Sequence, residues 1–355
     1  MIDSIDLIIK SIKYLDLKNL EKLGIKIKKY RTSQSSDYDF GYKDIEVLEY
    51  NQKVNTKGYY DFGYVFEYKN ISFKYSIRFK YLLLITKVSE IIQKDVVTLS
   101  DKLPYKQIVL GIAKEVLPLT KIGMELHRID FMVDLIFPTD EMVQEYIKLL
   151  NKHDSRYLYT KKMKNKHTGK DYNTSIYLTN KTGQLTFNFY NKYQERLAKN
   201  DTNSENFKGV LRLEIQNRPA KLKAQLKKEN GRDKTLDAYY NKESMIDNYF
   251  KLLKPYLYLG DYYKMKQAKK LINQSNLSKD KKEKLKKFLS AVEKYRGVKN
   301  VYKHKWCCEE TGKKYIQWLN NLGINPITID NNSKYDTLPN LYKLALATAE
   351  KNYFI

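Results

Sequence analysis

Tyr190, Asp130 and Glu214 each fall on the polar side of a short alternating segment, and a phenol beside two carboxylates is a set suited to phosphodiester chemistry. A tyrosyl oxygen can attack phosphorus and later leave as a phenolate. Two carboxylates can hold a hard divalent ion, Mg²⁺ or Mn²⁺, which polarises the phosphate and neutralises developing charge. A free phenol has a pKa of about 10, so roughly a thousandth is ionised at neutral pH, a penalty of about 4 kcal/mol. Lys192, two residues on, would reduce that penalty by favouring the phenolate.

Strand alternation assigns these residues to faces. In 127–135 the apolar set Ile129, Phe131, Val133 and Leu135 leaves Arg128, Asp130, Met132 and Asp134 opposite. In 185–192 the apolar set Leu185, Phe187 and Phe189 leaves Thr186, Asn188, Tyr190 and Lys192. In 210–218 Leu211, Leu213 and Ile215 face in, while Arg212, Glu214, Gln216 and Arg218 face away. If the three are neighbours in one sheet, their polar sides form a single basic surface holding two acids and a tyrosine. Arg128 and Arg212 would clamp phosphates there, with Asn188 and Arg218 as further DNA contacts. His127 points away from Asp130 on a regular strand and reads as a core or edge histidine; a β-bulge would turn it inward as a third metal ligand. Any half-exposed antiparallel sheet alternates, and cross-strand Arg/Glu pairs are ordinary solvated contacts. What distinguishes this chain is Arg-x-Asp, Tyr-x-Lys and Arg-x-Glu on three strands.

The elements that would position these strands can be read along the chain. Residues 6–10 form a short apolar run, and 64–68 with 71–80 read as a hairpin around Lys69-Asn70. From Pro104 to about Thr120, Ile108, Ile112, Val116 and Leu117 recur at helical spacing. A strand over 126–137 precedes a crossover helix, with Thr139 as its cap, Asp140 and Glu141 in its first turn, and Met142, Tyr146, Leu149 and Leu150 on one side. Residues 152–170 read as a basic loop, and the strands 174–179 and 184–192 as a hairpin closed by Asn180-Lys181-Thr182-Gly183. Pro219 stops the strand at 210–217. Helices are expected at about 220–228, 243–257, 261–273, 278–297, 309–322 and 338–350. The domains read as 1–225 and 226–355, with the boundary near 220–240.

The chain carries 66 Lys and Arg against 41 Asp and Glu, a formal charge of +25, and 32 tyrosines. That balance favours a polyanion as partner, since each neutralised phosphate releases counterions, although Lys, Asn, Ile and Tyr are also what AT-rich coding DNA supplies. The opening Met1-Ile2-Asp3-Ser4-Ile5-Asp6 lacks the basic start of a signal peptide, and no apolar run reaches the roughly 18 residues of a membrane span. Cys307 and Cys308 are adjacent, which disfavours a disulfide between them and fits a reduced cytoplasm. His304-Lys305-Trp306-Cys307-Cys308 would be half of a zinc site without a second half; buried thiols are the simpler reading. The Thr-Gly-Lys triplets at 168–170 and 311–313 lack the first glycine of a phosphate loop, so no nucleotide energy is expected.

In order along the chain, Met1-Ile2-Asp3, Arg128-Ile129-Asp130 with its crossover helix, Tyr190-x-Lys192, and Val210-Leu211-Arg212-Leu213-Glu214 resemble the replication initiators of filamentous phages, the gene II type endonucleases, and related rolling-circle plasmid initiators. The similarity spans most of 1–225. It implies an α+β fold, an antiparallel sheet with helices packed on one face as in relaxase-like nickases, followed by a mostly helical C-terminal domain. Tyr190 matches the nicking tyrosine, and Asp130 and Glu214 the acidic positions. The implied activity nicks one strand of double-stranded origin DNA, keeps the 5′ end as a phosphotyrosine, handles single-stranded DNA, and rejoins the displaced circle. A host helicase and polymerase are the implied partners, in a bacterial cytoplasm and without a membrane. No His-x-His pair of the relaxase kind is present. Tyr193 would be a second nucleophile only on a helix; packing or DNA stacking is the alternative. Two competing readings are a noncatalytic sequence-specific DNA-binding protein using the C-terminal helices, with Tyr315, Trp318 and Leu322 as a stripe, and an RNA-binding sheet, which the apolar placement of the phenylalanines disfavours.

Overall fold

The computed structural model describes residues 2–32, 45–49, 61–153, 159–160, 174–218, 222 and 235–354, with backbone alone at 45–49 and 159–160. The alternating segments pair into one antiparallel sheet. Its strands are β1 (Ile2–Lys10), β2 (Lys28–Thr32), β3 (Ile45–Glu49), β4 (Asp61–Tyr68), β5 (Ile71–Ser76), β6 (Tyr81–Lys87), β7 (Glu125–Ile136), β8 (Tyr159–Thr160), β9 (Ser175–Thr179), β10 (Leu185–Asn191) and β11 (Val210–Asn217). Their spatial order is β3-β2-β4-β5-β6-β1-β7-β11-β10-β9-β8. Two stretches share one wiring: the last strand of each, β6 or β11, returns beside the first, β1 or β7, and β1 pairs antiparallel with β7 to join them.

The helices α1 (Leu17–Lys22), α2 (Val88–Ile92), α3 (Lys102–Val116), α4 (Asp140–Lys152) and α5 (Lys192–Leu197) sit between strands. Pro104 lies in the first turn of α3, where its missing N–H costs nothing. The Thr139 hydroxyl accepts from Met142 N at the start of α4, satisfying an otherwise orphaned donor. The hairpin turn between β9 and β10 closes with Gly183 N–H donating to Asn180 O, and Gly183 takes the φ of +69° that the turn requires. The expected basic loop at 152–170 and the expected helix and boundary at 220–240 lie largely outside the described residues.

The C-terminal region is helical: Lys242–Met245 runs through a π-helical turn, Ile246–Phe250, into Lys251–Leu257, and Met265–Gln274, Lys279–Tyr295, Glu309–Asn321 and Leu341–Asn352 follow. Leu341–Asn352 and the Tyr249 turn pack against the sheet and the other helices pack on one another, all within one continuous core that runs from Ile2 and Phe131 to Tyr249, Leu341 and Tyr353. Buried tyrosines tie the two regions: Tyr249 Oη donates to Leu213 O at 2.9 Å, Tyr256 Oη to Leu150 O at 3.2 Å and Tyr240 Oη to Thr98 O at 3.0 Å. Each phenol thus reaches a partner from an apolar setting. Tyr315, Trp318 and Leu322 are half-buried against this core, and Lys281 lies over the Trp318 ring. Cys307 and Cys308 are free thiols, the first half-buried and the second exposed, so they are not the buried pair expected from sequence.

Candidate functional site

β1, β7, β11 and β10 are consecutive neighbours, so the polar sides of the three sequence-read strands meet on one face. Register aligns Tyr190 with Arg212 and Arg212 with Asp134, Asn188 with Glu214 and Glu214 with Met132, and Gln216 with Asp130. Tyr190 Oη lies 3.5 Å from Glu214 Oε2, while Gln216 Nε2 donates to Glu214 Oε1 at 2.7 Å. Asp130 is fully buried and its carboxylate is gripped by Arg128 through one guanidinium edge, Nε and Nη2. Arg212 makes a two-pronged pair with Asp134, both contacts 2.7 Å, and a third bond to Asp3 at 2.6 Å. Both arginines read as phosphate clamps are therefore held by carboxylates here.

Two β-bulges shape the centre. Ile2 pairs with Phe131 and Ser4 with Asp130, leaving Asp3 as the extra residue on β1. Asp6 pairs with Arg128 and Leu7 with Leu126, leaving His127 as the extra residue on β7. A bulge places two successive side chains on one side; Ile2 and Leu126 lie in the core, and Asp3 bonds Ser4 and Arg212 on the polar face. The register irregularity at His127 is the bulge that the alternative reading of this histidine requires. Asp3, Asp6, Asp134 and Gln216 complete the cluster. Asp3 and Asp6 escape the sequence reading because β1 reads as an apolar run beginning at Asp6, and a bulge depends on the partner strand.

Lys192 lies just past the end of its strand. The strand ends at Asn191, whose side chain caps α5 by accepting from Gln194 N, and Lys192 opens that helix. Its ammonium pairs with Glu195 at 2.8 Å and lies 5.5 Å from the Tyr190 ring centroid. The cation placed across the ladder from Tyr190 is Arg212. Tyr193 lies on α5 and donates to Glu205 at 2.7 Å. Arg218 follows β11, buried, with its N–H on Gln184 O, and its charge acts on Asp6. Asn188 is half-buried beside Glu214 in register.

Burial sets the electrostatics. It pushes the Glu214 carboxyl up to about 8, with the charges of Asp3 and Asp130 adding and the Gln216 hydrogen bond opposing. Burial raises Asp130 to about 6 against the pull of Arg128, and raises Asp6 against Arg128 and Arg218. Asp3 is likewise desolvated, yet Arg212 and the Ser4 hydrogen bond hold it below the ordinary range. Tyr190 is raised well above 10 by burial and by Glu214, with Arg212 opposing. Among the described residues no three His, Cys, Asp or Glu side chains converge as a metal requires. The carboxylates of Asp3, Asp6, Asp130 and Glu214 are oxygen donors of the kind that a hard divalent cation takes.

No protein-family model and no curated protein matches the chain. Among solved structures, a rolling circle replication initiator protein from Geobacillus stearothermophilus matches with a TM-score of 0.29 and 14% identity, over 64% of this chain and 77% of that one. A superposition this loose leaves the site to rest on the chain's own geometry.

Proposed function

We propose that the protein is a rolling-circle replication initiator, a site-specific DNA nicking and joining enzyme that uses Tyr190 as its nucleophile. The observation that carries the proposal is Tyr190 Oη at 3.5 Å from Glu214 in a buried acidic cluster flanked by Arg128 and Arg212. Its support from sequence is the ordered resemblance to the gene II type initiators. In the forward step Tyr190 Oη bonds to the scissile phosphorus as the bond to the 3′ oxygen breaks, leaving a 3′-OH and a 5′-phosphotyrosine. With Glu214 ionised, as it is above about pH 8, the phenolic proton leaves along the contact to Glu214 Oε2, and Arg212 favours the phenolate. Gln216 fixes the orientation of Glu214. Asp130, Glu214 and His127 are the residues that would hold Mg²⁺ or Mn²⁺, with Asp3 and Asp6 adjacent. When bound, such an ion supplies positive charge to the phosphate. Arg128, Asn188 and Arg218 are the residues that would contact DNA beside the cluster, Arg128 by exchanging Asp130 for a phosphate.

Negatively supercoiled DNA carrying the replicon's own origin, incubated with Mg²⁺ or with EDTA, tests the reading. The expected product is a metal-dependent nick with protein on the 5′ end; origin binding without a nick under either condition would instead make the protein a noncatalytic DNA-binding module.

A further inference from the structure

The opposite end of β1 from Asp3 carries a second feature. The β5–β6 turn, Ile77-Arg78-Phe79-Lys80, projects beside the segment that leaves β1, and the two are joined by Ile12 N–H donating to Lys80 O at 2.9 Å. Tyr75 Oη donates to Ile12 O at 3.2 Å and fixes the same junction from inside. Tyr14 and Phe79 stand two residues and one residue along the chain from this bond, and they are the only Tyr and Phe among the exposed large apolar side chains of the described residues, 78% and 43% accessible. Phe79 stacks on Tyr81 with ring planes 13° apart, and the Arg78 guanidinium lies 5.4 Å from its centroid. Lys13, Arg78 and Lys80 are all exposed around these rings. The nearby acids have other duties: Asp16 caps α1 and Glu125 pairs with Lys10.

Exposing aromatic faces among cations costs solubility without helping the core, and the combination fits one ligand well: unpaired bases stack on rings while lysine and arginine meet the phosphates. We propose that this tip is a single-stranded DNA platform, resting on the nicking-enzyme reading for its role but not for its chemistry. From Ser4, level with Asp130, to Lys10 is six residues, about 20 Å at ~3.3 Å per residue. The platform therefore engages strand several nucleotides from the scissile phosphate, where DNA opened at the origin would lie.

The test is fluorescence anisotropy of the full chain with a labelled oligo-dT of about 16 nucleotides. Phe79→Ala with Tyr14→Ala should weaken binding by about tenfold per ring. Thermal melting should be unchanged, since both side chains are exposed. Phe79→Trp should keep the affinity and show tryptophan quenching on titration. Unchanged affinity of the double variant would overturn the proposal, even if the chain nicks its origin. A double variant that lowers self-association in sedimentation but leaves oligo-dT affinity intact would overturn it in favour of a contact between copies. Loss of oligo-dT binding in the double variant, with no nicking by the unmodified chain, would uphold the platform and sink the catalytic reading alone.

Discussion

Replacing Glu214 by Gln should stabilise the protein at high pH while removing the proposed activity. The buried Glu214 carboxyl is raised from 4.5 to about 8. The folded protein therefore holds a proton that the unfolded chain releases between those values. The stability linked to that proton is fully present below about pH 4.5 and is lost as pH rises through about 8. At ~1.36 kcal/mol per pK unit the limit is roughly 5 kcal/mol, and part of it belongs to Asp3 and Asp130, whose charges share the titration. The amide oxygen of Gln can still accept from Gln216, and no charge is left to repel Asp3 or Asp130. Glu214→Gln should thus match the unmodified protein in urea midpoint near pH 4.5 and exceed it near pH 9 by an amount equivalent to about 2 kcal/mol, in EDTA throughout. A midpoint difference that does not widen with pH would refute the assignment of Glu214 as a crowded, destabilising acid.

Three further outcomes follow from the fold. His153, buried with Nδ1 on Tyr256 O at 2.8 Å and Nε2 at 3.2 Å from Tyr262 Oη, is depressed by burial to about 4. The stability it contributes holds above about pH 6.5 and falls by up to about 3 kcal/mol as pH drops through 4; His153→Gln should flatten that part of the acid unfolding curve, and an unaltered slope would rule the assignment out. Thr139→Ala removes the cap of α4 and should cost about 1 kcal/mol in urea unfolding. Gly63→Ala would set a Cβ 1.9 Å from the Tyr75 carbonyl oxygen, in the ladder beside Asp61, so it should cost about 3 kcal/mol or more; a neutral substitution there would contradict the close strand approach.

The legible parts of this chain are those fixed by local pattern. β11 spans Val210–Asn217 and stops before Pro219, and α4 starts at the Thr139 cap, because alternation and capping need no knowledge of the partner. The chain is an α+β protein built on an antiparallel sheet with helices on one face and a helical C-terminal region. Features defined between strands were not legible. The bulges at Asp3 and His127 exist only in the β1–β7 register, and they bring Asp3 to Arg212 across 209 residues of sequence. Lys192 lies in α5 rather than in β10, because two-residue spacing after Tyr190 continues a strand on paper whereas Asn191 begins a helix in space, yet its ammonium stays 5.5 Å from the Tyr190 ring centroid. The sharing of one core by sheet and C-terminal helices rests on buried tyrosines such as Tyr249, whose phenol finds a strand carbonyl that sequence cannot name.

The central claim is that Tyr190 forms the covalent bond to DNA. Its most direct measurement traps the protein–DNA adduct on origin DNA labelled at the scissile phosphate, digests it, and locates the phosphorylated residue by mass spectrometry. The account predicts the label on Tyr190 and none in Tyr190→Phe; label on Tyr193, or a nick with no residue carrying phosphate, would contradict it.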